Sequence, residues 1–188
     1  MYRDVTVPVN RALEEVTSYA IANRYDMRTS NVGLMMHPGP IPYDTTNRIR
    51  TLVWFYEQMN HDAPWDIKEP ERWVGTIGST FPGSHDTPIY FRGERMTPES
   101  LGNWTYGYIG ALIGLNLPTL LAGSYYAAGT PLPYSLKSID DFNFGINMTS
   151  PIIQNPNFIR DFNNEMGDWV YIERGFNEYS TRRGRRWW

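Results

Sequence analysis

The chain contains no cysteine, and this absence excludes several kinds of chemistry at once. Disulfide bridges, thiolate nucleophiles and zinc sites built on cysteine are all ruled out. A chain without cysteine tolerates both oxidising and reducing compartments, which suits a protein that crosses between them. The sequence also lacks the HExxH, phosphate-loop and dinucleotide-binding patterns, so we expect neither a metal nor another cofactor.

Positive charge is scarce over most of the sequence. The net charge is −3, although the last eight residues, TRRGRRWW, hold four arginines and no acid, so −3 minus 4 leaves −7 for the body. Because Lys and Arg dominate the binding of phosphate backbones, this balance counts modestly against a nuclease. The first residues do not show a basic stretch followed by an apolar one, so we expect any export signal to lie elsewhere.

Charge of either sign is missing from residues 100–136. A transmembrane helix needs about 20 predominantly apolar residues, whereas the apolar part of this run spans residues 106–123 and is interrupted by Asn116, Pro118 and Thr119. We therefore expect no stable membrane insertion. The run predicts a central, buried helical hairpin of small residues that turns at LNLP and faces a site at its N-terminal end.

Apolar residues recur at helical spacing in two segments before this run. In the first helix the predicted stripe is Val9, Leu13, Val16, Ala20 and Ile21, with Asn10 as the N-cap. In the second helix it is Ile49, Leu52, Val53, Tyr56 and Met59.

Further along, the short segments WVGTIG and PIYFRG predict two strands. Thr97, Pro98 and Glu99 predict the start of a helix, since they supply a cap, a first-turn proline and an acid near the helix dipole. Another helix is expected from about Pro118 to Gly129, and a last one over residues 156–179 with a break near Gly167. The fold class is therefore mainly α, a compact helical domain with a short two-stranded β segment. We divide it into residues 1–50 (a helix and a Pro/Gly-rich loop), 51–180 (the main domain) and 181–188 (an Arg/Trp-rich tail).

Aromatic residues are abundant: 15% of the chain, with seven Trp and thirteen Tyr. Because buried Trp and Tyr need partners for their N–H and O–H groups, we expect some of them to line a groove or interface. Sugar rings and nucleobases are the usual flat partners of such surfaces.

Two short patterns carry candidate chemistry. In PWDIK, Asp66 and Lys68 face the same side if the segment is extended, beside Trp65, and a carboxylate in that setting can act as a general base, a nucleophile or a ligand anchor. A surface ion pair explains the same spacing. In GNWTYGY, Asn103 and Tyr106 share a helical face next to two glycines, which allow another backbone or a ligand to approach.

The histidines are dispersed at positions 37, 61 and 85. His85 and Asp86 could form a base–carboxylate pair with Ser84 adjacent, but no nucleophile elbow accompanies them. The histidines therefore predict no particular site by themselves.

Three blocks in order, FYEQMNHDAPWDIK, GNWTYGYIGALIG…LLAGSYYAAG and DWVYIERGFNEY, resemble the bacterial polymorphic toxin type 44 domain over about residues 55–179. Ile67 departs from the pattern, which usually has an aromatic residue there. The resemblance implies an antibacterial effector of interbacterial competition. Such a toxin is secreted as part of a parent delivery polypeptide or through a secretion-system component, and a cognate immunity protein neutralises it. The positions that match are Trp65, Asp66, Lys68, Gly102, Asn103, Tyr106, Gly107, Asp168 and Gly175.

The resemblance implies no particular reaction, so the reaction is argued from the residues. We expect a hydrolase acting on the glycan strands of peptidoglycan in the periplasm of the target cell, because the acidic, aromatic-rich body suits sugar binding. The expected catalytic residues are Asp66, Lys68 and Asp168; the expected substrate-binding residues are His61, Trp65, Asn103, Trp104 and Tyr106; and Gly102, Gly107 and Gly175 are expected to be structural. A metal-independent ribonuclease in the cytoplasm, with Lys68 on phosphate and His61 or Asp66 as base, is the alternative. A pore-forming toxin and a non-enzymatic binding or structural module are the others.

Overall fold

The computed structural model describes residues 3–27, 43–59, 63–78, 80, 83–127 and 166–185. These residues form six α-helices, one 3-10 helix at Pro70–Arg72 and one small sheet. The mainly α fold class is therefore confirmed. The helices are α1 (Thr6–Ala22), α2 (Tyr43–Met59), α3 (Trp73–Ile77), α4 (Pro98–Leu112), α5 (Leu117–Ala127) and α6 (Met166–Arg185), and the strands are β1 (Arg3–Asp4), β2 (Ile89–Phe91) and β3 (Glu94–Met96).

Helix α1 buries most of its predicted stripe but begins earlier than the sequence indicated. Its buried face is Val9, Ala12, Leu13, Val16 and Ala20, whereas Ile21 is exposed. The prediction that Asn10 caps the helix is wrong, because the helix starts at Thr6 and Asn10 lies inside it. The Thr6 backbone N–H donates instead to the Asp4 carboxylate, at 2.8 Å.

Helix α2 turns a different face to the core than its apolar stripe predicted. Ile49, Val53 and Tyr56 are exposed. The buried positions include two polar residues that find backbone partners: Asn47 donates to the Arg24 carbonyl at 3.1 Å, and Thr51 donates to the Asn47 carbonyl at 2.8 Å. Trp54 and Phe55 complete that face, and the Trp54 ring stacks on Tyr25 with centroids 4.7 Å apart. The orientation follows from these specific partners rather than from hydrophobicity alone.

The β element is a hairpin extended by a third strand. WVGTIG is not a strand, because Trp73–Ile77 forms the short helix α3. The other predicted strand is present as β2, which pairs antiparallel with β3 and parallel with β1. The sheet order is β1-β2-β3, so the chain's first described residues join a strand almost ninety positions later.

Helix α4 begins as its sequence predicted. The Thr97 hydroxyl accepts a hydrogen bond from the Ser100 backbone N–H at 3.1 Å, Pro98 occupies the first turn and Glu99 lies beside it. The side chain thereby satisfies one of the free donors at the helix start.

We expect Thr97→Ala to lower the free energy of unfolding by about 1 kcal/mol, because it removes this cap. Thr97→Ser keeps the hydroxyl and is the matched control. Equilibrium urea unfolding measures both variants. If Thr97→Ser lowers the free energy of unfolding as much as Thr97→Ala does, the capping role of Thr97 is wrong.

The described part of the charge-free run, residues 100–127, forms the predicted helical hairpin. Helices α4 and α5 are joined by a turn at residues 113–116, and Leu120 of α5 packs on Gly110 of α4. Almost every residue of α4 is buried. Among the described residues, no helix is long and apolar enough to cross a membrane.

Helices α4 and α6 cross with their backbones in direct contact, and two glycines make this possible. A Cβ at Gly107 would overlap the Ile172 carbonyl group, 2.8 Å from its carbon. A Cβ at Gly175 would overlap the Trp104 carbonyl group in the same way, also 2.8 Å from its carbon. Both glycines were expected to be structural. The close approach of α4 and α6 leaves no room for a side chain at either position.

One hydrophobic core joins these elements. Val9 and Leu13 of α1 belong to the same buried cluster as Leu101 of α4 and Ile172 of α6. Within the described residues, the N-terminal helix therefore shares its core with the rest of the protein.

Candidate functional site

The segment 63–69 between α2 and the 3-10 helix, which we call the Asp66 loop, is held by its own backbone. The Trp65 N–H donates to the Gln58 carbonyl at 2.9 Å, and the Asp66 N–H donates to the Ala63 carbonyl at 3.0 Å. The Glu69 N–H donates to the Asp66 carbonyl at 3.3 Å. This turn is compact rather than extended, so Asp66 and Lys68 are not related by the strand geometry that the sequence suggested.

Side chains on the inner side of the Asp66 loop anchor it to the core. Ile67 and Trp65 are buried, and the Trp73 indole N–H donates to the Ile67 carbonyl at 2.8 Å. Thr76 also donates to the Pro64 carbonyl. Trp65 is therefore part of the packing of the loop.

Asp66 is itself buried, with 9% of its surface exposed. A carboxylate that is largely removed from water needs compensating contacts in the protein. Asp66 is therefore not a fully exposed surface carboxylate.

Lys68 connects the Asp66 loop to α4. A Cβ placed on Gly102 would lie 2.5 Å from the Lys68 Cγ and 3.3 Å from the Lys68 backbone nitrogen. The loop therefore lies directly on the helix at Gly102, and the missing side chain creates the space for it. Gly102 does allow close approach, as the sequence indicated. The group that approaches it is the backbone and the aliphatic side chain of Lys68.

Asn103, the next residue, has an unsatisfied side chain. It is only 4% exposed, and its Nδ2 amide makes no hydrogen bond to any described residue. A buried donor without a partner costs about 1–3 kcal/mol, and native proteins contain few of them. An amide held in this way is available to an acceptor oxygen of a ligand.

The side chain of Tyr106 makes its contacts within the protein. Its hydroxyl donates to the Leu120 carbonyl at 3.0 Å, and its ring packs 5.3 Å from Phe55. Burial raises the pKa of the Tyr106 hydroxyl, which keeps it protonated. Its observed contacts join α4 to α5, whereas we expected it to bind substrate.

Trp104 lies on a different side of α4 from Gly102. Its ring stacks on Tyr108 at 5.2 Å and contacts Phe91 edge-on at 5.1 Å. The described tryptophans are all buried, and the exposed large aromatic residues are Tyr19 and Tyr56. Of the predicted site residues, Trp65, Asp66 and Lys68 thus share one loop, and this loop contacts α4 at Gly102, the residue before Asn103.

The structure does not describe two further predicted side chains. His61 is outside the described residues, and Asp168 lies in α6 with its side chain outside the described ones. His85 and Asp86 do pair, at 3.1 Å, but both are exposed on a surface loop, where Ser84 bonds to Thr87. Within the described part of the chain, no group of His, Asp and Glu could hold a metal ion.

Sequence analysis missed a polar cluster around Arg92. This arginine bonds to Asn10 and Glu178, which are distant in sequence, and Glu178 also pairs with Arg182. Two local signals were present: Arg-Gly at a hairpin turn that usually takes Asn-Gly, and a Glu–Arg pair four residues apart on a helix.

Comparison with known proteins gives no relative for this chain. No family model matches it, and neither the curated proteins nor the solved structures contain a match. A function must therefore be argued from the residues.

Proposed function

We propose that the protein is an antibacterial effector toxin, a hydrolase that cleaves the glycan strands of peptidoglycan. One observation carries the proposal: Asp66 is buried in a loop that contacts α4 through Lys68 at Gly102, and the residue after Gly102 is Asn103, whose buried amide has no hydrogen-bond partner among the described residues. A buried donor without a hydrogen-bond partner is costly for the fold and rare in native proteins, and an acceptor oxygen of a ligand would remove that cost.

Each residue has a defined role in this proposal. Asp66 is the acid or nucleophile at the scissile bond, and Lys68 is the cationic residue of the same loop that assists it. The Asn103 amide donates to an oxygen of the sugar. Hydrolysis of a glycosidic bond requires two carboxyl groups, and Asp168 is the proposed second one, from the block that resembles the toxin family.

The charge distribution supports a glycan rather than RNA. The body of the chain is acidic, and Arg174 of α6 is already bonded to both carboxylate oxygens of Glu94. A phosphate backbone needs unpaired cations, whereas the sugar rings of a glycan strand do not.

The resemblance to the toxin family supports the biological setting. The proposed partners are a cognate immunity protein in the producing cell and a secretion-system component or parent polypeptide that delivers the domain. The proposed site of action is the periplasm of the target bacterium.

Parallel incubation of the purified protein with peptidoglycan sacculi and with total RNA tests which polymer is the substrate. We expect soluble muropeptides with new reducing ends from the sacculi and intact RNA. Degraded RNA with intact sacculi would replace the proposal by the ribonuclease alternative. If both polymers remain intact, the hydrolase proposal is wrong.

Replacement of Asn103 separates stability from activity. We expect Asn103→Leu, which is similar in size, to leave the free energy of unfolding unchanged or to raise it by about 1 kcal/mol, because no hydrogen bond is lost and an unsatisfied donor is removed. We expect the release of muropeptides to fall in the same variant. Urea unfolding and the sacculus digest measure the two effects. Loss of stability with full activity would contradict the proposed role.

A further inference from the structure

Four elements bring charged and aromatic side chains together at the turn of the β-hairpin. Asn10 comes from α1, Arg92 from the turn between β2 and β3, Trp104 and Tyr108 from α4, and Glu178 and Arg182 from α6. We call this group the Arg92 cluster. It is separate from the Asp66 loop, which lies on α4 at Gly102.

Arg92 is held in an unfavourable backbone conformation. Its φ is +53°, and Gly93 follows with a φ of +80°, as in a two-residue hairpin turn that favours Asn-Gly. Residues other than glycine keep such a conformation only where surrounding contacts enforce it, and these positions are frequent at binding sites. Here the Arg92 N–H donates to the Thr6 hydroxyl at 2.6 Å.

The Arg92 guanidinium is fixed in position on several sides. It lies 4.7 Å from the Phe91 ring centroid and 5.0 Å from that of Trp104. It donates twice to the Asn10 side-chain oxygen, at 3.1 and 2.6 Å. Its side chain nevertheless remains 23% exposed, so solvent and solutes reach it.

Two guanidinium groups share a single carboxylate oxygen. Arg92 Nη1 donates to Glu178 Oε1 at 3.0 Å, and Arg182 Nε donates to the same oxygen at 2.6 Å. The three side chains therefore carry one net positive charge. The two cations lie close together because both donate to one oxygen, and burial and the charge of Arg182 lower the pKa of the Arg92 guanidinium.

Arg182 retains donors for a further acceptor. Its side chain is 51% exposed, and its terminal nitrogens make no hydrogen bond to any described residue. The carboxylate of Glu178, which accepts hydrogen bonds from both Arg92 and Arg182, is an example of the kind of group that these two side chains bind.

We propose that Arg92 and Arg182 form a binding site for a carboxylate of a ligand, with Glu178 as the internal group that such a ligand displaces or joins. The rings of Phe91 and Trp104 lie against the Arg92 guanidinium, and Tyr108 stacks on Trp104. Guanidinium groups bind planar carboxylates through paired hydrogen bonds, and a preformed pair does so with less loss of side-chain freedom. We infer that the ligand is an acidic peptide, because the site already accommodates a glutamate side chain. This proposal is independent of the reaction at Asp66.

An NMR titration of the full chain tests this proposal through the side-chain Nε–Hε signals of its arginines. The probe is N-acetylglycine, a small carboxylate, added at constant ionic strength, and the neutral amide N-acetylglycinamide is the control probe. We expect saturable changes at Arg92 and Arg182 with the carboxylate alone. Because Arg174 is already bonded to both carboxylate oxygens of Glu94, we expect little change there.

Three variants decide between binding and simple packing. Arg182→Gln should weaken binding about tenfold through the loss of a charge-assisted contact, while Arg174→Gln should leave it unchanged. Glu178→Gln should strengthen binding, since it removes the competing carboxylate; a purely structural role would predict the opposite. Absence of saturation, equal changes with the amide, or weaker binding in Glu178→Gln would overturn the proposal. Tighter binding of inorganic phosphate than of N-acetylglycine would overturn the carboxylate assignment.

Discussion

Gly175→Ala is expected to destabilise the protein by at least about 3 kcal/mol, because it inserts a methyl group between two helix backbones that already touch. The new Cβ would overlap the carbonyl group of Trp104 and lie 3.0 Å from the Tyr108 nitrogen. Neither helix can yield at this point without separating along the crossing. Gly107→Ala would press on the Ile172 carbonyl from the other side and is expected to have a similar effect.

A matched control for this prediction is Gly75→Ala. Gly75 lies in α3, and a Cβ there would meet nothing within 4 Å. The control should therefore keep wild-type stability or gain up to about 1 kcal/mol from the better helix propensity of alanine. Equilibrium urea unfolding compares the variants directly. If Gly175→Ala unfolds at the same urea concentration as Gly75→Ala, the close crossing of α4 and α6 is wrong.

Asp66→Asn is expected to reduce the hydrolytic rate by about 10² to 10⁴, the usual contribution of a positioned acid or base. The substitution keeps the size of the side chain and removes its negative charge. The matched control is Asp86→Asn, the same change in a side chain that is 76% exposed. We expect the control to be fully active. The initial rate of muropeptide release measures all three proteins.

Circular dichroism must accompany this measurement, because Asp66 is buried and its replacement affects packing. A folded Asp66→Asn protein with wild-type activity would remove Asp66 from the mechanism. Equal losses in Asp66→Asn and Asp86→Asn would point to a general charge effect rather than to this site.

Sequence patterns predicted the fold best where local chemistry determines the structure. The start of α4 follows from Thr97 and Pro98, which act within one helical turn. Most of the buried stripe of α1 follows from its helical spacing. The hairpin of α4 and α5 follows from a long run without charge, which indicates burial on most sides.

The sequence failed where contacts distant along the chain decide the outcome. In α2 both faces carry apolar residues, and the buried face is the one on which Asn47 finds the Arg24 carbonyl. Strand β1 has two residues and exists through pairing with β2. The valine and isoleucine of α3 suggested a strand, but the segment packs as a helical turn with Trp73 and Ile77 buried.

The residues of the candidate site could be named from the sequence, but the contacts between them could not be predicted. The resemblance to a toxin family selected Asp66, Lys68 and Asn103, but the contact between Lys68 and Gly102 joins positions 34 residues apart and has no local signal. The same limit applies to the Arg92 cluster, where Asn10 and Glu178 meet only in the folded chain.

Compartment-dependent killing tests the central claim most directly. The chain is expressed in a susceptible bacterium with and without an added periplasmic export signal, together with Asp66→Asn and Asp86→Asn. We predict that the exported wild type and exported Asp86→Asn round and lyse the cells, while the exported Asp66→Asn protein and all the unexported proteins leave them unharmed. Killing by the unexported wild type in cells of normal shape would contradict action on the wall.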